Sequence, residues 1–315
     1  MGDQLDLLGF NTAKPPEPSD ALSEEHLAIS AVAESLPGQL NLFGDRWQRA
    51  SAAHKALESF DLDAAAEALR GAVRLYPSDA ALLDRANLIA NLAVALRSAQ
   101  RKTKSPARGL VAIEPKIPAF LATYWHRRLA EVMEEEDAPG AVLACVPAGL
   151  HWLRAGDSVR AEASLRATLA LEPANCRARA YLADTLFVQG RQSEARLEYR
   201  QALATSPAEV DLASLADDAV RGLPDQAKND YELPGAPVEW AAAVGLLDGV
   251  FLSPTHIPEN WTDPPVLDSL APGLRFYRWF VAEKVAGDHA RRIACRRAMK
   301  ALSPRLLAEY VERRS

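Results

Sequence analysis

Among the residues of this 315-residue chain with side chains suited to metal binding, nucleophilic attack or acid–base work are three cysteines, six histidines and a run of four carboxylates. Cys145, Cys176 and Cys295 are odd in number and far apart, which fits reduced thiols acting as small buried hydrophobes rather than a disulfide framework or a zinc knuckle. His126 beside Trp125 and His151 beside Trp152 fall in helical stretches without a partner at metal-ligand spacing, so they read as core or surface histidines. Glu134-Glu135-Glu136-Asp137 lacks the glycine turn and alternating ligands of a cation loop and reads as a solvated helix end. No Walker A loop, glycine-rich dinucleotide turn, HExxH, nucleophile elbow or CxxC pair occurs. The chemistry thus points away from an enzyme, and neither a catalytic residue, a metal nor a cofactor is expected.

What must position these residues is set by composition. With 49% apolar and 25% charged residues the chain is that of a globular protein, which excludes a wholly disordered one. The longest uncharged stretch, Ala138 to Leu153, contains Pro147 and His151 and falls short of the ~20 apolar residues that span a bilayer. The N-terminus opens with Asp3 and Asp6 and has neither a basic n-region nor a continuous apolar h-region, so cytoplasmic residence and no membrane partner are the expectation.

Self-similarity organises the middle of the chain. When residues 142–175 are set above 176–209, Gly149 stands over Ala183, Gly156 over Gly190, Ala161 over Ala195, Thr168 over Ala202, Leu169 over Leu203 and Pro173 over Pro207. Trp152 over Leu186 and Leu165 over Tyr199 match in bulk. Two antiparallel helices crossing closely need small residues at the crossing, a glycine to end the first helix and a proline after the second. A third unit, 46–79, aligns on Pro77 and keeps Ala53, Ala65, Leu69 and Ala72, but Ala56 and Phe60 stand where the aromatic and the glycine are expected. Residues 80–100 and 118–137 read as long amphipathic helices joined by a stretched loop, together a divergent unit over 80–137.

This order of small, aromatic, glycine, alanine and proline residues over 34 positions resembles the tetratricopeptide repeat family. The resemblance implies an all-α, helical-hairpin α-solenoid over 46–220 that binds partner proteins or peptides in a concave groove lined by the first helix of each unit. Carried over by position, the groove residues are Leu143, Val146, Leu150, Leu153 and Arg154, then Arg177, Ala180, Asp184, Phe187 and Val188. Family members that clamp acidic chaperone tails carry lysine and asparagine where this chain has Val146 and Leu150, so an apolar helix or extended segment is the better ligand.

Beyond the repeats, 221–315 is expected to form a helical cap with proline-rich loops over 223–237 and 252–272 and helices over 238–250, 274–286, 288–302 and 304–313. Phe276, Tyr277, Trp279 and Phe280 lie at helical spacing and are expected to pack this block onto the last repeats. From Arg275 onward there are 11 basic and four acidic residues. Arg291-Arg292 and Arg296-Arg297 make a stripe that could meet nucleic-acid phosphates, although a solvated face or one docked onto an acidic surface is the commoner use.

Residues 1–45 differ in kind: eight acidic residues and one lysine, with a proline-rich stretch at 14–20, read as a flexible acidic tail. A short motif occurs there twice, Gln4-Leu5-Asp6-Leu7-Leu8 and Gln39-Leu40-Asn41-Leu42-Phe43. Both copies resemble the pentapeptide with which bacterial polymerases and repair proteins dock on the sliding clamp. The resemblance implies that Gln4 and Gln39 bond at the pocket rim while Leu5, Leu7, Leu8, Leu40, Leu42 and Phe43 supply the apolar contacts, two copies adding avidity. Docking of the tail on its own groove or on another partner, and coincidence, are the competing readings. The sequence therefore leaves two functions in view: a non-enzymatic interaction scaffold, and a replication or repair accessory recruited to the clamp.

Overall fold

The structure, a computed structural model, describes residue 49 and residues 51–137, 140–255, 257 and 259–313. The tail and both of its motifs lie outside the described residues. Helices dominate, and the only strands among the described residues form one two-stranded hairpin. The chain divides into two compact units, with the boundary between Glu136 and Asp137.

The first unit begins with α1 (51–58) and α2 (Leu62–Leu75). Phe60, standing where a glycine was expected, takes the left-handed conformation at φ 53° between them. The turn closes as a helix C-cap: Phe60 N–H donates to the Leu57 carbonyl at 2.8 Å and Asp61 N–H to the Ala56 carbonyl at 2.8 Å. Burial of the ring, which is 5% exposed, holds a backbone conformation that costs a non-glycine residue about 1–2 kcal/mol. Asp61 then caps α2 by accepting from Ala64 N–H.

α3 (Ala80–Thr103), capped by Asp79, packs against both α2 and α4 (Pro106–Ile113). α4 corrects the expected loop over 101–117. Lys104 ends α3 in the left-handed conformation, Ser105 caps the new helix at Arg108 N–H, and Pro106 suits its first turn. After a 3-10 turn (Glu114–Lys116), α5 (Ala119–Asp137) carries the buried Trp125, whose Nε1–H donates to the Leu110 carbonyl of α4 at 3.1 Å.

The second unit opens with β1 (Val142–Leu143) and β2 (Val146–Pro147), antiparallel, with Leu143 opposite Val146. α6 (Ala148–Arg154) and α7 (Ser158–Leu171) follow, then α8 (Cys176–Val188) and α9 (Gln192–Thr205). The helix-ending turn seen at Phe60 recurs here. Gly156 and Gly190 both have φ 80°. Asp157 N–H donates to the Trp152 carbonyl at 3.0 Å, and Arg191 N–H to that of Leu186 at 2.9 Å. α2, α7 and α9 are each 14 residues long, and α9 starts 34 positions after α7. At the α6–α7 crossing a Cβ on Gly149 would lie 2.4 Å from Leu165 Cγ and 3.1 Å from the Ala161 carbonyl oxygen, so the small residue is a steric requirement.

The C-terminal part comprises α10 (Asp218–Arg221), α11 (Leu223–Asn229), a 3-10 turn (Pro237–Trp240), α12 (Ala241–Leu247), α13 (Pro264–Asp268), α14 (Pro272–Val285), α15 (His289–Leu302) and α16 (Pro304–Glu312). The proline-rich loops thus contain α11 and α13, each started by a proline in its first turn, and the helix expected over 238–250 is divided between the 3-10 turn and α12. One hydrophobic core runs through the second unit. It joins Ala183, Ala195 and Tyr199 of α8 and α9 to Trp240, Phe276, Tyr277 and Phe280, with the half-buried Trp279 packed against it. The aromatic cluster of α14 shares this core, with the Phe276 and Trp240 ring centroids 5.7 Å apart, and α12 packs directly on α9.

Candidate protein-interaction surface

The groove positions inferred from the repeat fall on α6, α8 and the hairpin. Leu143 and Val146 are not on a helix, which corrects their assignment to the first helix of the unit. The chain between them turns through Ala144 (φ 51°) and Cys145 (φ 66°), and Pro147, with no amide hydrogen, fills the N-cap position of α6. Both side chains are half-buried.

On the helices, Leu150, Ala180 and Asp184 are buried, Leu153 and Phe187 are half-buried, and Arg154, Arg177 and Val188 are exposed. Arg177, Tyr181, Asp184 and Val188 follow one line along α8, since positions three and four apart share a helix face. Tyr181 was missed by the positional transfer. Its phenol is half-buried in this line; burial raises its pKa, and it feels Arg154, Arg177 and Asp211.

Asp184 is the electrostatic centre of this face. Its Oδ1 accepts from the Tyr199 hydroxyl and from Ala216 N–H, the latter at 2.8 Å. Burial pushes the carboxyl up from 3.8 to about 6, against the two hydrogen bonds, which favour the charged form. The 32-residue separation between Asp184 and Ala216 means that the segment after α9 returns across the face. Nearby, Arg177 Nε donates to the Glu209 carbonyl at 3.3 Å, and Asp217, itself buried, pairs with Arg196 at 2.8 Å. Asp184 is therefore engaged by the chain itself. The part of the face that reaches solvent consists of exposed Arg154, Arg177 and Val188 with half-buried Leu153, Tyr181 and Phe187, the last two packed against the core, an apolar strip bordered by two guanidinium groups.

Elsewhere the ionisable groups are tied to the architecture. Glu283 is buried and accepts from Arg296 at 2.8 Å and from the Tyr310 hydroxyl, joining α14, α15 and α16. Arg292 donates to the Ala286 carbonyl at 3.2 Å. Two of the four arginines of the basic stripe are thus engaged within the fold, leaving Arg291 and Arg297 exposed. Cys176 and Cys295 are buried, with pKa values raised by burial, and Cys145 is exposed at the hairpin tip. Among the described residues no cluster of three or more His, Cys, Asp or Glu is placed to hold a metal ion, and no helix is long and apolar enough to cross a membrane. Gln4, Leu5, Leu7, Leu8, Gln39, Leu40, Leu42 and Phe43 lie outside the described residues. Comparison with protein-family models, with curated proteins and with solved structures finds no match to this chain.

Proposed function

We propose that this chain is a non-enzymatic protein-interaction adaptor, a tetratricopeptide-type α-solenoid that holds an apolar peptide or helix of a partner on the α6–α8 face. The observation that carries this reading is the threefold recurrence of one unit: a left-handed helix-ending turn at Phe60, Gly156 and Gly190, each followed by a 14-residue helix. In units of this kind the first helix of each pair lines the concave surface, and here those helices carry Leu153, Phe187 and Val188 between Arg154 and Arg177. The buried carboxylates Asp184, Asp217 and Glu283 each serve a structural tie, which supports recruitment over catalysis. Leu153→Glu plus Val188→Glu, at half-buried and exposed positions, should leave the circular dichroism and melting temperature of the protein intact and weaken partner binding at least tenfold. Unchanged binding by this double variant contradicts the assignment of the surface.

The duplicated tail motif favours a second reading, in which the adaptor is a replication or repair accessory brought to the sliding clamp through Gln4 to Leu8 and Gln39 to Phe43. Purified clamp should retain the full-length protein and release it on Gln4→Ala plus Gln39→Ala. Absence of retention removes this reading and leaves the first in place.

A further inference from the structure

A notch separate from the α6–α8 face lies where α9 meets the loop after α12. It is lined by Ser193, Arg196, Leu197, Arg200, Val250 and Leu252 and has a volume of about 240 Å³. Its two arginines differ. Arg196 is neutralised by Asp217. Arg200 is 7% exposed and has no carboxylate partner among the described residues. Its Nη1 donates to the Leu252 carbonyl, whereas its Nε is buried without an acceptor. Its charge bears electrostatically on the buried Tyr277 phenol. A buried guanidinium without a counter-ion is costly, and a carboxylate entering the notch that Arg200 lines supplies that counter-ion. The walls are apolar and open: Leu252 is 76% exposed and Leu197 43%.

We propose that this notch captures a carboxylate carried beside an apolar side chain, the C-terminal residue of a partner peptide. Charge complementarity selects the occupant: one uncompensated cation accepts one anion, and Leu197, Val250 and Leu252 accept the neighbouring hydrocarbon. Size limits it further, because the volume is below the roughly 300–1,000 Å³ of pockets that take whole small molecules. A nucleotide is too large, and a single terminal residue fits. The site is independent of the face assigned above, so its failure leaves the adaptor reading standing.

The test is calorimetric titration of the full-length protein with N-acetyl-leucine, with N-acetyl-leucinamide and with inorganic phosphate. N-acetyl-leucine should bind with a Kd on the order of 1 mM, as its few atoms allow, and the amide at least tenfold more weakly. Arg200→Met should abolish binding of the acid while keeping or raising the melting temperature, because it removes a buried, unpaired charge. Leu197→Ala and Leu252→Ala, at exposed positions, should weaken the acid severalfold without unfolding the protein, which keeps the test decisive should Arg200→Met fail to fold. Equal binding of acid and amide, phosphate binding as tight as the acid, or retention of binding by folded Arg200→Met overturns the proposal.

Discussion

Asp184→Asn should stabilise the protein at neutral pH and lose that advantage in acid. The Asp184 carboxyl titrates at about 6 in the fold against 3.8 in its absence, so ionisation inside the protein costs ~3 kcal/mol at pH 7.5. The folded pKa lies above the unfolded one, so the favourable contribution of the protonated carboxyl is complete below pH 3.8 and is lost as pH rises through about 6. Asparagine keeps an oxygen at the position that accepts from both Tyr199 and Ala216, and it carries no charge to desolvate. Part of the gain is offset because hydrogen bonds to a neutral oxygen are weaker than those to a carboxylate. The expected net stabilisation is therefore about 1–3 kcal/mol at pH 7.5 and close to zero at pH 4. Urea denaturation of wild type and variant at both pH values, followed by tryptophan fluorescence, measures it. A variant less stable than wild type by the same amount at both pH values refutes the reasoning, since the carboxylate would then act through its bonds alone.

Four further outcomes follow from the packing. Gly156→Ala and Gly190→Ala, each in open space at φ 80°, should cost about 1–2 kcal/mol apiece through backbone strain, read from urea midpoints. Gly149→Val should cost more than either, because even a Cβ there meets Leu165 and the Ala161 carbonyl below contact distance, and overpacking costs about 1–3 kcal/mol with further loss when the backbone must shift. Ala144→Asn combined with Cys145→Gly places the residues that favour positive φ at both hairpin positions and should stabilise the second unit by about 1 kcal/mol in thermal denaturation. Glu283→Ala should be among the most damaging single changes, ~3 kcal/mol by denaturant titration, because it leaves the Tyr310 hydroxyl and one side of Arg296 without their partner.

The helix-ending turns at Gly156 and Gly190 were legible because glycine announces a positive φ, and the 34-residue spacing placed them in register. The same turn at Phe60 was not, since nothing local marks a left-handed phenylalanine: burial of its ring compensates the strain. Ser105-Pro106 carries a helix-start signal, but the surrounding lysines, arginines and threonine obscure it, and the segment that forms α4 reads as loop. Ala144-Cys145 lacks the Asn-Gly signature of a tight hairpin, so nothing local sets Leu143 and Val146 apart from the first helix that the repeat resemblance implies. At the candidate surface, amphipathic spacing identified the face of α8, but the burial of Asp184 depends on Ala216 and that of Arg200 on Leu252, 32 and 52 residues further on. Contacts at such separations are set by how the C-terminal helices fold back through Trp240, Phe276 and Phe280, and the periodicity of a single helix carries no record of them.

The central claim is that a partner occupies the α6–α8 face, and site-specific photo-crosslinking in the native host tests it most directly. A photoreactive residue at Val188 or Leu153 should yield a discrete adduct with a single partner, while the same residue at Leu171, 75% exposed at the end of α7, should not. Adducts of equal yield at all three positions, or at Leu171 alone, contradict the account.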